Sequence, residues 1–139
     1  MSYKIISKFI KDISFEIPDA KAFVMLEKEI ANYNLNFDIK SKPYKNNIIE
    51  VNTVLKISPG PNTKYKVLAE ITSAALVSIE DNFEDKKELE KIILIKTPTE
   101  IYPSLYETFV YLFSQAGIKN IQIDKNVDFE KLFNQKKNS

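Results

Sequence analysis

The chain has 139 residues, 44% of them hydrophobic and 28% charged, with a formal net charge of +1; this is the profile of one soluble globular domain with no surplus charge to draw it toward nucleic acid. All of its basic residues are Lys, and Cys, His, Trp and Arg are absent, which excludes thiolate and imidazole metal sites, Cys–His or Ser–His nucleophile pairs, disulfides and guanidinium readers of phosphate or guanine. Gly60 and Gly117 are the only glycines, too few for a phosphate-cradling loop or a dinucleotide fingerprint, so the composition favours binding through surfaces, without cofactor or metal, over catalysis.

The apolar stretches between Met1 and Lys11 are broken by Lys4 and Lys8, so neither a secretory signal nor membrane insertion is expected. From Tyr3 the odd positions Ile5, Ser7, Phe9, Lys11, Ile13, Phe15 and Ile17 read as one face of a strand, with Asp12, Ser14 and Glu16 on the other. Pro18 stops it, since proline cannot donate to a ladder. From Ala20 to Asn32, Ala22, Phe23, Leu26 and Ile30 are spaced among Glu27, Lys28 and Glu29, which fits a short helix or an apolar connecting segment. Leu35, Phe37 and Ile39 alternate with Asn34, Asn36 and Asp38, and after the polar Lys40–Asn47 the alternation resumes through Ile49, Val51, Thr53, Leu55 and Ile57; two strands or one interrupted strand fit equally. Ser58–Thr63 is dense in turn formers and predicts a hairpin into Tyr65–Ile79, where Val67, Ala69, Ile71, Ala75, Val77 and Ile79 share a face and Leu68 and Glu70 point the other way. Together these strands predict an antiparallel sheet with one apolar face.

Glu80–Lys91 is strongly charged and precedes Ile92-Ile93-Leu94-Ile95, a pattern for a short exposed helix entering a buried segment. From Ile101 a helix is expected with Pro103 near its first turn and Gly117 just past its end. Tyr102, Leu105, Tyr106, Phe109, Val110, Leu112, Phe113 and Ala116 leave it hardly any polar face. One sheet covers only one side of such a helix, so a second subunit is expected on the other. Asp128 reads as the N-cap of a last helix, with Val127 and Leu132 as a hydrophobic staple, Phe129, Leu132 and Phe133 as its apolar side, and Asn134–Ser139 as a polar tail. No repeat or second domain is visible, so residues 1–139 read as a single domain.

The order of elements and several strings resemble a known family. Lys11-Asp12-Ile13-Ser14-Phe15-Glu16-Ile17-Pro18-Asp19-Ala20 is similar to the opening signature of the SecB protein-export chaperones, and Asn126-Val127-Asp128-Phe129-Glu130-Lys131-Leu132-Phe133 to their closing one. Between them, Tyr33–Asp38, Val67–Ile71 and Ile101-Tyr102-Pro103 with Glu107 resemble the family's second strand, third strand and long-helix opening. The chain departs from the pattern in lacking a crossover Trp, in Ser73-Ala74-Ala75 where a Gly-Gly pair is usual, and in its near-neutral balance and basic end.

The resemblance implies an α+β fold: a four-stranded antiparallel sheet with a long helix and a short C-terminal helix on one side, assembled as a dimer of dimers. It implies a cytoplasmic, ATP-independent holdase, not an enzyme, that binds unfolded preproteins and delivers them to the translocation ATPase SecA. The family's SecA-docking positions fall on Asp12, Glu16, Leu68 and Glu70, the residues that alternation turns outward. From spacing alone, Asp12 and Glu16 are two solvated charges about 13 Å apart, wider than the ~6.5–9.5 Å of an inverting glycosidase pair. The client-binding positions fall on Tyr33, Leu35 and Phe37, extended by Phe23 and Met25; the same alternation also suits a buried core face. A SecB-like chaperone dedicated to one partner, such as the antitoxin of a toxin–antitoxin pair, is the alternative.

Overall fold

The computed structural model describes residues 2–30, 33–58, 67–80, 85–119 and 121–137. Four strands, β1 (Tyr3–Glu16), β2 (Asn34–Lys45), β3 (Ile48–Ser58) and β4 (Leu68–Ile79), form one antiparallel sheet in the order β1-β4-β3-β2. The helices are α1 (Ala20–Glu29), α2 (Lys86–Lys91), α3 (Thr97–Gln115) and α4 (Phe129–Lys137). No helix among the described residues is long and apolar enough to cross a membrane.

The inner face of the sheet is set by β3, where Ile49, Val51, Thr53, Leu55 and Ile57 are all buried, and by their partners Val77, Ala75, Ser73, Ile71 and Ala69 on β4. The α3 stripe Ile101, Leu105, Phe109 and Phe113, spaced by one helical turn, lies in the same core. Leu26 of α1 and Phe129 of α4 close it at one end, and Ile92 fills the other beneath Ile49 and Val77. The sheet therefore packs its apolar face on helices and turns its other face outward.

Strand β1 does not alternate evenly. Its pairing with β4 slips between Ile5 and Ser7 and again between Ile10 and Asp12, and each extra residue flips the faces that follow. Ser7 and Phe9, expected inward, stand opposite the outward Leu76 and Ala74, and Lys11 reaches the outward Glu50, while Ile10 turns inward. The second bulge cancels the first, so Ile13 and Phe15 face inward and Asp12 and Glu16 outward, as the sequence predicts.

The segment after β1 is a helix, capped by the Asp19 carboxylate accepting from the Ala22 N–H at 2.7 Å. Between β2 and β3 the polar stretch is no break, for β2 runs to Lys45 and only Asn46, with φ 48°, and Asn47 turn. Pro43 is tolerated because β2 is an edge strand. Of the turn expected at Ser58–Thr63, Ser58 is the last residue of β3 and the rest lies outside the described residues; β3 and β4 pair as a hairpin requires.

α2 and α3 are one continuous helical path joined by a π-helical turn, Ile92–Lys96. There the Thr97 N–H donates to the Ile92 carbonyl, five residues back, and Pro98 supplies no N–H for the next rung. The long helix thus starts at Thr97, with Pro98 in its first turn, rather than at Ile101; Pro103 sits inside it at an exposed position. Its end is a Schellman motif: Ile118 N–H donates to Phe113 O at 2.9 Å and Gly117 N–H to Ser114 O at 3.1 Å, with Gly117 at φ 100°. At the chain's end the Asp128 carboxylate caps α4 through the Lys131 N–H at 3.0 Å, and Asn134–Lys137, expected as tail, continue the helix.

Candidate functional site: an apolar cleft and a charged sheet face

Leu35, Phe37 and Ile39 project from the inner face of the edge strand β2, where Phe37 reaches α3 at Tyr102. Opposite them stand Phe129, Leu132 and Phe133 of α4 and Leu94 of the π turn, and together these residues line an open cleft of about 230 Å³. Phe37 is held edge-on by Tyr102 and Phe129, with ring centroids at 5.6 and 5.3 Å. A second cleft of about 140 Å³ continues past Leu35; Ile30, Tyr33, Ile57, Ile121 and Ile123 line it together with Gln122 and Asp124. Leu35 belongs to both, so the two clefts form a groove along the inner edge of β2, apolar at Phe37 and mixed beyond Leu35.

The walls of the groove are fixed by polar contacts behind it. The Tyr102 hydroxyl donates to the Asp124 carbonyl, tying the segment before α4 to α3; burial, then the nearby Asp124 and Tyr106, push this phenol up to about 12. Burial and the Glu29 carboxylate likewise raise Tyr33. α4 is nine residues long, too short to be stable alone in water, so it is held by the packing of Phe129 and by its cap. The cleft at Phe37 is thus mainly apolar and open to solvent, a surface that accepts apolar side chains without reading their identity, while its continuation past Leu35 mixes apolar walls with Gln122 and Asp124.

Of the residues that sequence reasoning assigned to client binding, Tyr33, Leu35 and Phe37 line the groove. Phe23 instead packs against the Gly117 turn and Met25 is half-buried on α1; neither lines either cleft. Ile39, Leu94, Ile121 and Ile123 were not assigned, and only the chain's path brings them to β2; the isoleucine alternation at 121 and 123 was the one local signal.

On the outer face, Glu16 stands opposite Leu68, and Ser14 opposite Glu70, with Asp12 two residues along. Asp12, Glu16, Leu68 and Glu70 therefore form one contiguous patch at one end of the β1–β4 ladder, with Leu68 39% exposed at its rim. At the other end the balance reverses. Glu50 accepts from Lys11 Nζ at 2.7 Å and from Asn52 Nδ2 at 2.8 Å, with Lys42 Nζ at 4.0 Å. The hydrogen bonds from Lys11 and Asn52 hold its carboxyl below the usual range.

Comparison with known proteins agrees with this geometry. The family model described as preprotein translocase subunit SecB matches residues 1–139. A SecB-named protein of Pelagibacter ubique is 44% identical over 137 residues, covering 99% of this chain and 98% of that one. The protein-export protein SecB of Thiobacillus denitrificans is 26% identical over 125 residues, covering 90% and 80%. Among solved structures, the SecB-like chaperone of Mycobacterium tuberculosis, in complex with an antitoxin peptide, has a TM-score of 0.64 at 14% identity and covers 88% of this chain and 89% of that one. That last likeness speaks for the fold, while the match along the whole length and the relatives fix the lineage: the chain belongs to the SecB family of protein-export chaperones.

Proposed function

We propose that this protein is a cytoplasmic, ATP-independent holdase that keeps precursor proteins unfolded and passes them to SecA. The observation that carries the reading is the open apolar cleft along Leu35 and Phe37, adjoined by a more polar cleft at Tyr33. An extended polypeptide laid there gains about 25 cal/mol for each Å² of apolar surface removed from water, whatever its sequence. A folded protein offers no such segment, so binding selects the unfolded state by mass action. Asp12, Glu16, Leu68 and Glu70 supply the SecA-docking surface, on the opposite side of the sheet from the groove, so that client and ATPase are held at once.

The working unit is a tetramer, a dimer of dimers. Ile10 and Ile13 are 51% and 43% exposed on the inner face of the edge strand β1, and Tyr111 is 61% exposed on α3. These are apolar surfaces that a second copy covers. A second reading, a chaperone dedicated to one antitoxin-like partner, draws support from the M. tuberculosis relative solved with an antitoxin peptide and from the near-neutral charge.

The test is light scattering of several unrelated unfolding proteins, with the chaperone's own mass recorded alongside, and SecA binding by wild type and Glu16→Lys. Suppression of all clients by a species of four chains, and SecA binding lost in the variant, are expected. Protection of a single partner alone moves the assignment to the dedicated chaperone, and a monomer that protects nothing refutes both.

A further inference from the structure

The outer sheet face has a charge pattern that docking to a single partner does not use. Its rows follow from the strand register. At one end, Asp12 and Glu16 of β1, Glu70 of β4 and Asp38 of β2 share the face with Lys56 of β3. At the other end, Lys4 and Lys11 of β1 and Lys40 and Lys42 of β2 share it with Glu50 of β3. Each of these three strands thus reverses its sign about the same midline, which runs between the row of Asp12, Thr72, Val54 and Asp38 and the row of Phe9, Ala74, Asn52 and Lys40. Along that midline Phe9, 46% exposed, and the partly exposed Val54 stand among Thr72 and Asn52, with Asp12 on one edge strand and Asp38 and Lys40, 3.6 Å apart, on the other.

We propose that two copies of this chain stack outer face to outer face, related by a two-fold axis along that midline. The operation lays each strand on its own counterpart with the ends exchanged. Glu16 then faces Lys4, Asp38 faces Lys40 and Lys56 faces Glu50, each pair occurring twice, while Asp12 meets Phe9 and Glu70 meets Leu76, so that no two exchanged rows oppose like charges. Such self-complementarity of charge is what a two-fold interface demands.

Two magnitudes bear on the match. Stacked sheets cross at about 30°, which moves the end rows, about 17 Å from the axis, sideways by about 8 Å. That is within a Debye length at physiological salt, so the attraction survives the twist. The rows span about 34 Å and the strands about 14 Å, giving roughly 1,000–1,400 Å² of total buried surface once side chains are included, the low end for specific complexes. The association is therefore weak, concentration-dependent and salt-sensitive. Stacking covers Asp12, Glu16, Leu68 and Glu70, so on the proposed docking role it is a storage form that SecA and the partner copy cannot share.

The test is sedimentation equilibrium of the full chain over a concentration series at about 0.02 M and about 0.5 M salt. At high salt the mass is that of the basic assembly; at low salt it rises with concentration, with the stacking dissociation constant at least about tenfold tighter. Lys4→Glu with Lys40→Glu abolishes the rise. Adding Glu16→Lys and Asp38→Lys to the same chain, which returns the net charge to its original value, restores it, because the two-fold match is rebuilt with signs exchanged. All four side chains are exposed, and circular dichroism with an unchanged high-salt mass confirms that each variant is folded. No rise in the wild type, a rise that persists in the double variant, or a folded quadruple variant that does not recover overturns the proposal. None of these readouts involves SecA or a client, so failure here is distinct from failure of the holdase reading.

Discussion

Replacing Phe129 by Ala removes the side chain on which both α4 and the groove depend. Phe129 is 2% exposed and packs its ring on Phe37 at 5.3 Å and on Tyr102 at 6.0 Å. Losing a buried phenyl ring costs about 3–5 kcal/mol, of which the two edge-on contacts account for about 0.5–1.5 kcal/mol each. That sum exceeds what a nine-residue helix with one cap can supply, so the expected consequence is release of α4 rather than collapse of the sheet. Hydrogen exchange at Leu132–Gln135 accelerates to nearly unprotected rates, while the β3 and β4 amides keep their protection. Urea unfolding of the remainder shifts little, and client binding weakens because the groove has lost one wall. Protection of α4 retained in the variant, or client binding unchanged from wild type, contradicts the reasoning.

Gly117→Ala is expected to cost about 1–2 kcal/mol in urea unfolding, since a Cβ there combines φ 100° with an approach of 3.1 Å to the Phe23 ring; Ser114→Ala, at an exposed position of α3, costs nothing measurable. Tyr102 makes stability fall at alkaline pH. Its folded pKa is raised to about 12 from an ordinary 10.0, so its contribution is complete below about pH 10 and is lost as the pH climbs to about 12, on the order of 2 kcal/mol. Tyr102→Phe removes that part of the decline, and loses about 1 kcal/mol at neutral pH with the hydrogen bond to Asp124. An unchanged alkaline profile in Tyr102→Phe contradicts the assignment.

Much of the fold was legible because β3 and β4 alternate with little interruption, so their inner and outer faces follow from residue type alone. Strand β1 was not, since a bulge is a backbone event with no side-chain signature; Phe9 and Lys11 were given the wrong face, and Asp12 and Glu16 the right one only because two bulges cancel. The long helix read as starting at Ile101, whereas it follows directly on the wide turn at Ile92–Lys96 and starts at Thr97. Asn134–Lys137 are polar enough to read as tail, but the cap at Asp128 and the packing of Phe129 upstream carry the helix to Lys137. At the site, Leu35 and Phe37 were visible from alternation on β2. The opposite wall was visible as the apolar side of α4, but not that the two meet. Their meeting, and the place of Leu94 between them, depends on which sheet edge α4 reaches, and that is a property of the topology.

The central claim is that the β2 groove, and not the charged sheet face, holds unfolded polypeptide. Fluorescence anisotropy of a labelled, permanently unfolded client tests it with two exposed or half-exposed changes of equal chemical severity, Leu35→Glu in the groove and Leu68→Glu on the face. Burying an unpaired carboxylate against an apolar segment costs more than 1.4 kcal/mol, so Leu35→Glu is expected to weaken client binding by about tenfold or more. Leu68→Glu is expected to leave it within about twofold of wild type. Equal affinities in the two variants, or a loss confined to Leu68→Glu, contradict the account.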